Sequence, residues 1–217
     1  MKSTTNLPGA DSELRYWKKF VDTDRFIDNW CSPWPNPELN KYVADFITKH
    51  ISIDEKILDC GSGPVSILNG LLSKYQIAAT DPLGIDFRNI FDYEIYDIAS
   101  PVPIAVEDMT YDQRFFIVHM RNALDHSQDP VKGIDRMMAA LKPGGYLIIH
   151  GFENEGSHAG YSGMHKWDIG VYDGLLIVKD KAGHNAIIRT ESVYYNTEVL
   201  EDGRRWFTWI EQKANLG

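Results

Sequence analysis

Residues 56–68, KILDCGSGPVSIL, set a carboxylate, Asp59, two positions ahead of Gly61 and four ahead of Gly63. Glycines lack a Cβ, so the chain there turns tightly and lets its backbone approach a ligand, while the apolar run before them fits a strand. Such a loop suits a phosphate, a dinucleotide or an adenosyl compound without phosphates. No Gly-Lys-Ser/Thr follows, which excludes a P-loop. Asp81 stands 18 residues after Gly63, near the offset of about 20 at which a carboxylate meets a dinucleotide's ribose. Yet Ser66 replaces the third glycine of G-x-G-x-x-G, and Pro64 removes one of the N–H groups a pyrophosphate needs. An adenosyl ligand suits the loop better; an NAD-dependent oxidoreductase is the alternative.

Histidines add acid–base chemistry. GMHKWD places His165 near Asp168 in a Gly- and aromatic-rich stretch, 153–170, where Tyr161 and Trp167 would form walls. His126, Glu153, His165 and Asp168 are of the right types for a divalent ion, but no spacing motif joins them, so no metal is assigned. Cys31 and Cys60 are not spaced as a metal or redox pair, which fits a reduced protein.

These groups need a scaffold, and the periodicities from residue 36 onward supply one. NPELNKYVADFITKHI predicts a helix capped by Asn36, with Pro37 in its first turn and Leu39, Tyr42, Val43, Phe46 and Ile47 on one face. KILDC reads as a strand, followed after the loop by Ile67, Leu68, Leu71, Leu72 and Tyr75 at helical spacing. QIAATD and RFFIVHM read as two further buried strands, and a short one is expected near 102–106. DPVKGIDRMMAALKPGG predicts a helix capped by Asp129, lined by Ile134, Met137, Met138 and Leu141, and leading into YLIIHGF. After it, GLLIVKD and NAIIRTESVYY flank a KAGH turn as a hairpin, and EDGRRWFTWIEQK supplies a last strand. Repeated strand–helix–strand units imply an α/β, doubly wound, mostly parallel sheet. Residues 1–35, with Trp17, Trp30 and Trp34, read as an N-terminal helical arm on a domain of residues 36–217, whose insertion at 153–190 follows strand 5.

The glycine loop resembles the first motif of class I S-adenosylmethionine-dependent methyltransferases, with Val65 where a third glycine is common. AATDP, ending the second strand, and NALDHSQDPVKGIDRMMAALKPGGYLII follow in the family's order, so the resemblance covers roughly residues 55–150. It is of the methyltransferase type 11 kind and loosely similar to bacterial surface-polysaccharide methyltransferases. It implies a Rossmann-like seven-stranded sheet and a cofactor, S-adenosylmethionine, leaving as S-adenosylhomocysteine. By the same resemblance Asp59 holds the cofactor's amino group, Gly61 and Gly63 admit its methionine portion, and Asp81 accepts both ribose hydroxyls. Glu107 or Asp108 would meet the adenine amino group, Met109 its ring, and Asn122 the methionine end. His126, on the ligand side of the fourth strand, is common in the family and lines the cofactor or, with His165, serves catalysis. The implied reaction is O-methylation of a small polar acceptor such as a sugar or sugar phosphate; a catalytically silent module of the same fold is the other alternative.

Composition agrees. The 217 residues are 43% hydrophobic and 24% charged, and 31 acidic against 22 basic residues give a net charge of −9. A nucleic-acid partner is disfavoured because no basic run is present to neutralise phosphates. Without an apolar leader or a run of about 18 apolar residues, a cytoplasmic protein away from the membrane is expected, with a homodimer open to it.

Overall fold

The computed structural model describes residues 5–31, 36–71 and 75–215, so the expected roles of Trp34 and Leu72 lie outside the described residues. Its helices are α1 (Ala10–Val21), α2 (Asp24–Trp30), α3 (Lys41–His50), α4 (Gly84–Phe87), α5 (Pro130–Ala140) and α6 (Glu155–His158). The strands are β1 (Lys56–Cys60), β2 (Gln76–Thr80), β3 (Phe115–Arg121), β4 (Leu141–Phe152), β5 (Asp168–Tyr172), β6 (Leu175–Lys179), β7 (Asn185–Arg189), β8 (Tyr194–Val199) and β9 (Arg205–Gln212).

The main sheet runs β2-β1-β3-β4-β9-β8, parallel from β2 to β4 and antiparallel from there to β8. The buried runs are apolar on both faces because both are covered. Ile57, Ile117, Ile148 and Ile210 face a core shared with Phe26, Val43 and Ile47, while Leu58, Val118, Ile149 and Trp209 face Ile134 and Met137 of α5. The expected hairpin forms as β6 and β7, and with β5 it makes a separate three-stranded antiparallel sheet. That sheet brings Ile169, Val171, Leu176 and Val178 to Phe207 and Trp209, so β9 is buried on both faces.

Two expectations are corrected. Among the described residues the main sheet has six strands instead of seven: at the outer edge of β2 the strand foreseen near 102–106 shrinks to one parallel bridge, Thr80 to Val102. Val102 stands between Pro101 and Pro103, which have no N–H to extend a ladder. After the glycine loop the described residues form a 3-10 turn at Asn69–Leu71, and the remainder of the helix foreseen there passes into residues outside those described. There the Ser66 hydroxyl accepts from Leu68 N at 3.1 Å, the same i to i+2 bond by which Asn40 caps α3. Finally, α3 is capped by Asn40, which accepts from Tyr42 N at 2.8 Å; Asn36 instead accepts from Glu38 N in a turn of its own. The foreseen cap on α5 is present, with Asp129 accepting from Lys132 N at 3.0 Å.

Candidate functional site

The chain reverses its direction of winding between β1 and β3, and the loops leaving the carboxyl ends of the parallel strands open a crevice there. A cavity of about 540 Å3 fills it. From β2 toward β9, its floor carries Asp81, Gly61–Gly63, Arg121 and Asn122, Phe152, and Trp206.

Gly61 and Gly63 have φ of 63° and 66°, a left-handed backbone that costs an L side chain strain. Space forbids a side chain as well: a Cβ on Gly61 would lie 2.5 Å from the Ala123 methyl, and one on Gly63 2.6 Å from the Trp17 indole. The loop is tied to β2 by Gly61 N and Ser62 N, which both donate to Thr80 O at 2.8 and 3.1 Å. Asp81 then accepts from Gly63 N at 3.0 Å and from Leu83 N at 2.9 Å. Burial pushes this carboxyl up to about 7, against the two N–H groups that favour its charge.

Asp59, at the end of β1, is enclosed. Its Oδ2 accepts from Ser66 Oγ at 2.5 Å and its Oδ1 from His119 Nδ1 at 2.7 Å. The chain of bonds continues from His119 Nε2 to His150 Nε2 at 2.8 Å, one hydrogen being shared between them. Burial holds His150 well below the ordinary imidazole range, so it is neutral, and its Nδ1 has no partner.

Of the three candidates after residue 106, only Glu107 lines the cavity. It accepts from the N–H groups of Gln128 and, at 3.1 Å, Asp129, which fixes the entry to α5. Asp108 points to solvent toward Lys132, 3.6 Å away, and Met109 is buried beside Cys60 and Thr80.

On the other side of the crevice, Asn122 adopts φ 48°, donates its N–H to His150 O and accepts from Phe152 N at 3.0 Å. Beyond it the structure unites His126 and His165, 39 residues apart in sequence, with Nε2 and Nδ1 at 3.2 Å. Asp125, which the sequence reading missed, accepts from His165 Nδ1 at 2.6 Å and raises that imidazole's pKa. Its signal was its place directly before His126 in LDH. Glu153 and Asp168 go elsewhere: Glu153 pairs with Arg205 at 2.9 Å, and Asp168 accepts from Tyr161 Oη at 2.8 Å and Ser157 N at 2.6 Å. The ligand atoms of Asp125, His126 and His165 lie within 4.8 Å of one another, a set with the right donors for a divalent cation.

The roof was also missed. Glu13, Tyr16, Trp17 and Phe20 of α1 reach over the crevice, Trp17 anchored by its Nε1–H to Glu13 at 2.8 Å. Among the described residues no helix is long and apolar enough to cross a membrane.

Comparison with known proteins gives consistent findings. A family profile described as a methyltransferase domain matches residues 22–190, more than half of the chain. The tRNA U34 carboxymethyltransferase of Idiomarina loihiensis is 22% identical over 231 residues, covering 93% of this chain but 66% of that protein, so the chain spans less than two thirds of that relative. Among solved structures, the N-methyltransferase NodS of Bradyrhizobium japonicum WM9, in complex with S-adenosylhomocysteine, superposes with a TM-score of 0.64 at 12% identity, covering 94% of this chain and 98% of its own. The 1,6-didemethyltoxoflavin-N1-methyltransferase of Burkholderia thailandensis, with 1,6-didemethyltoxoflavin and S-adenosylhomocysteine bound, gives 0.54 at 14% identity over 99% and 94% of the two chains. At such identities the likeness establishes the fold.

Proposed function

We propose, from the premise that the chain belongs to the methyltransferase-domain family, that it moves the methyl group of S-adenosylmethionine to an oxygen of a small polar acceptor. The supporting observation is one cavity that joins Asp81 and the glycine loop to His126 and His165, the latter held by Asp125 behind it. The dinucleotide reading of the same loop gives way to the family match.

The residues present fit this cofactor. Asp81 has two backbone N–H partners and keeps acceptor capacity on both oxygens, which suits two ribose hydroxyls. Gly61 and Gly63 bring backbone to the methionine portion, and Asn122 stands at its end. Asp59 is already bonded to His119 and Ser66, so it meets the amino group through its remaining lone pairs or a water. The adenine falls to Glu107 and Val106, since Asp108 and Met109 do not reach the cavity. When bound, S-adenosylmethionine supplies an electrophilic methyl carbon on a sulfonium, and S-adenosylhomocysteine leaves. The chain's own tasks are to hold the acceptor in line, exclude water with the α1 roof, and take the hydroxyl proton. For the last, His165 is the base, oriented by Asp125, with His126 beside it.

A small acceptor fits the net charge of −9 and a crevice roofed by α1 better than an RNA does. The test is transfer of tritium from methyl-labelled S-adenosylmethionine to a panel of hydroxylated metabolites. Label in a product that His165→Gln loses, with S-adenosylhomocysteine affinity kept, supports the reading; cofactor binding with no turnover across the panel favours a silent module. The convergence of Asp125, His126 and His165 favours a second reading, a divalent cation that binds the acceptor's oxygen. Activity lost to a chelator and restored by metal supports that reading over a simple base.

A further inference from the structure

At the β3–β9 side of the cavity two hydrogen-bond donors have no acceptor among the described residues. Arg121 ends β3, and its guanidinium lies 5.2 Å from the ring centre of Trp206 and 6.0 Å from that of Trp30. Its Nε is buried and unpartnered, and its Nη2 reaches only the Glu38 carbonyl, at 3.4 Å. That is long beside the roughly 2.7–2.9 Å of a charge-assisted bond. The Glu38 carboxylate in the same wall is taken by Arg25, through Nε at 2.7 Å and Nη2 at 2.8 Å. Trp206 Nε1–H is the second orphan; the indole is 8% exposed and held edge-on against Phe152 and His150.

An arginine cannot shed its charge, and a guanidinium withdrawn from water is costly without a hydrogen-bonded counter-ion; the Glu38 and Asp59 carboxylates act on Arg121 only through space. Two indoles offset part of that cost through their π faces, and an anion would offset the rest. The Trp206 N–H beside it calls for an acceptor too. We propose that this corner is an oxyanion subsite of the acceptor pocket, with a carboxylate or phosphoryl group on the Arg121 guanidinium and a second bond from Trp206 Nε1–H. A neutral sugar could accept from both donors through its hydroxyl oxygens but would not balance the guanidinium charge, so an acidic acceptor fits this corner best. Calling the occupant a methyl acceptor rests on the proposed methyl transfer; the subsite itself does not.

The experiment follows the indole N–H resonances of tryptophan-labelled protein saturated with S-adenosylhomocysteine, the Trp206 signal being the one that Trp206→Phe removes. Inorganic phosphate, benzoate and a neutral methyl glucoside are titrated separately. A saturable shift of that signal with phosphate or benzoate, and none with the glucoside, is expected, the stronger anion identifying phosphoryl or carboxylate. Arg121→Gln should weaken the response about tenfold or more, and Arg121→Lys by less. Unchanged S-adenosylhomocysteine affinity in the variants shows that the cofactor end is intact; if Arg121→Gln does not fold, Arg121→Lys carries the comparison. A wild-type signal unmoved by both anions, or both Arg121 variants responding as wild type does, overturns the subsite. An anion response in protein that binds no S-adenosylhomocysteine would sink the methyl-transfer reading and leave the subsite standing, the titration then being run without it.

Discussion

At the β1–β2 end of the cavity the acidic side chains are already engaged by protein: Asp81 by the N–H groups of Gly63 and Leu83, Asp59 by His119 and Ser66, Glu107 by the backbone before α5. Across the crevice, Arg121 Nε and Trp206 Nε1 have no partner. The first end is organised before any ligand arrives, which spares a cofactor the entropy of ordering its site. The second holds two donors that, on the proposed subsite, await a group carried by the acceptor. On the proposed function, the first end serves the cofactor and the second the acceptor.

Substitutions can break that contrast, and the largest effect is expected at the buried base of the engaged end. His119→Leu removes one of the two donors on the buried Asp59 carboxylate and leaves His150 Nε2 without its partner, which together should cost about 3 kcal/mol. Chemical denaturation should show a loss of that size; a loss below about 1 kcal/mol would mean the bond to Asp59 is incidental. Next is Asp81→Asn, which keeps the shape and removes the charge that two hydroxyls would address. Calorimetry should find S-adenosylhomocysteine binding weakened about a hundredfold. Gly63→Ala comes third: a Cβ 2.6 Å from Trp17 combines with a φ of 66° to lower stability by about 1–3 kcal/mol. Trp17→Ala in the same chain should recover the steric part alone, and no recovery would show that the roof does not rest on the loop.

The smallest predicted change sharpens the acceptor end. Asp125 raises His165, so the base is freed of its proton only as pH climbs through that raised pKa. Asp125→Asn should move the rising limb of the rate profile to lower pH, with the cofactor's affinity unchanged. A profile that stays in place would assign the proton to another group.

The sequence was legible where function depends on local backbone geometry. The loop glycines, Asp81 after the second strand and the Asp129 cap are each readable because a turn or a helix start limits which residues fit. The prolines around Val102 carried the news of the lost strand, since neither can donate to a ladder, yet an apolar composition there suggested otherwise. Relations across the sheet were not legible. His119 sits inside RFFIVHM, a run that reads only as a buried strand, and its bond to Asp59 spans 60 residues. Nothing in the spacing of α1 says that Trp17 lies on Gly63, because its apolar positions report a buried face without saying against what. Glu107 and Asp108 differ by one position and face opposite ways, a distinction set by the 3-10 turn at Val106–Asp108. Arg121 was passed over as a strand end, and its orphaned Nε exists only once Trp30 and Trp206 are brought to it.

The central claim is that Asp81 and the glycine loop hold an adenosyl cofactor, and burial gives that claim a pH signature. Asp81 sits at about 7 in the free protein, and ribose hydroxyls donate to its charged form, so binding is full above that pH and weakens below it, by at most about tenfold per unit. Calorimetric titration of S-adenosylhomocysteine from pH 8 to pH 5.5, on wild type and Asp81→Asn, reads this directly. The account predicts affinity that falls as pH drops through about 7 in wild type and a weak, level profile in the variant. Folded wild-type protein that binds no S-adenosylhomocysteine at any pH, or a variant that matches it throughout, would contradict the account.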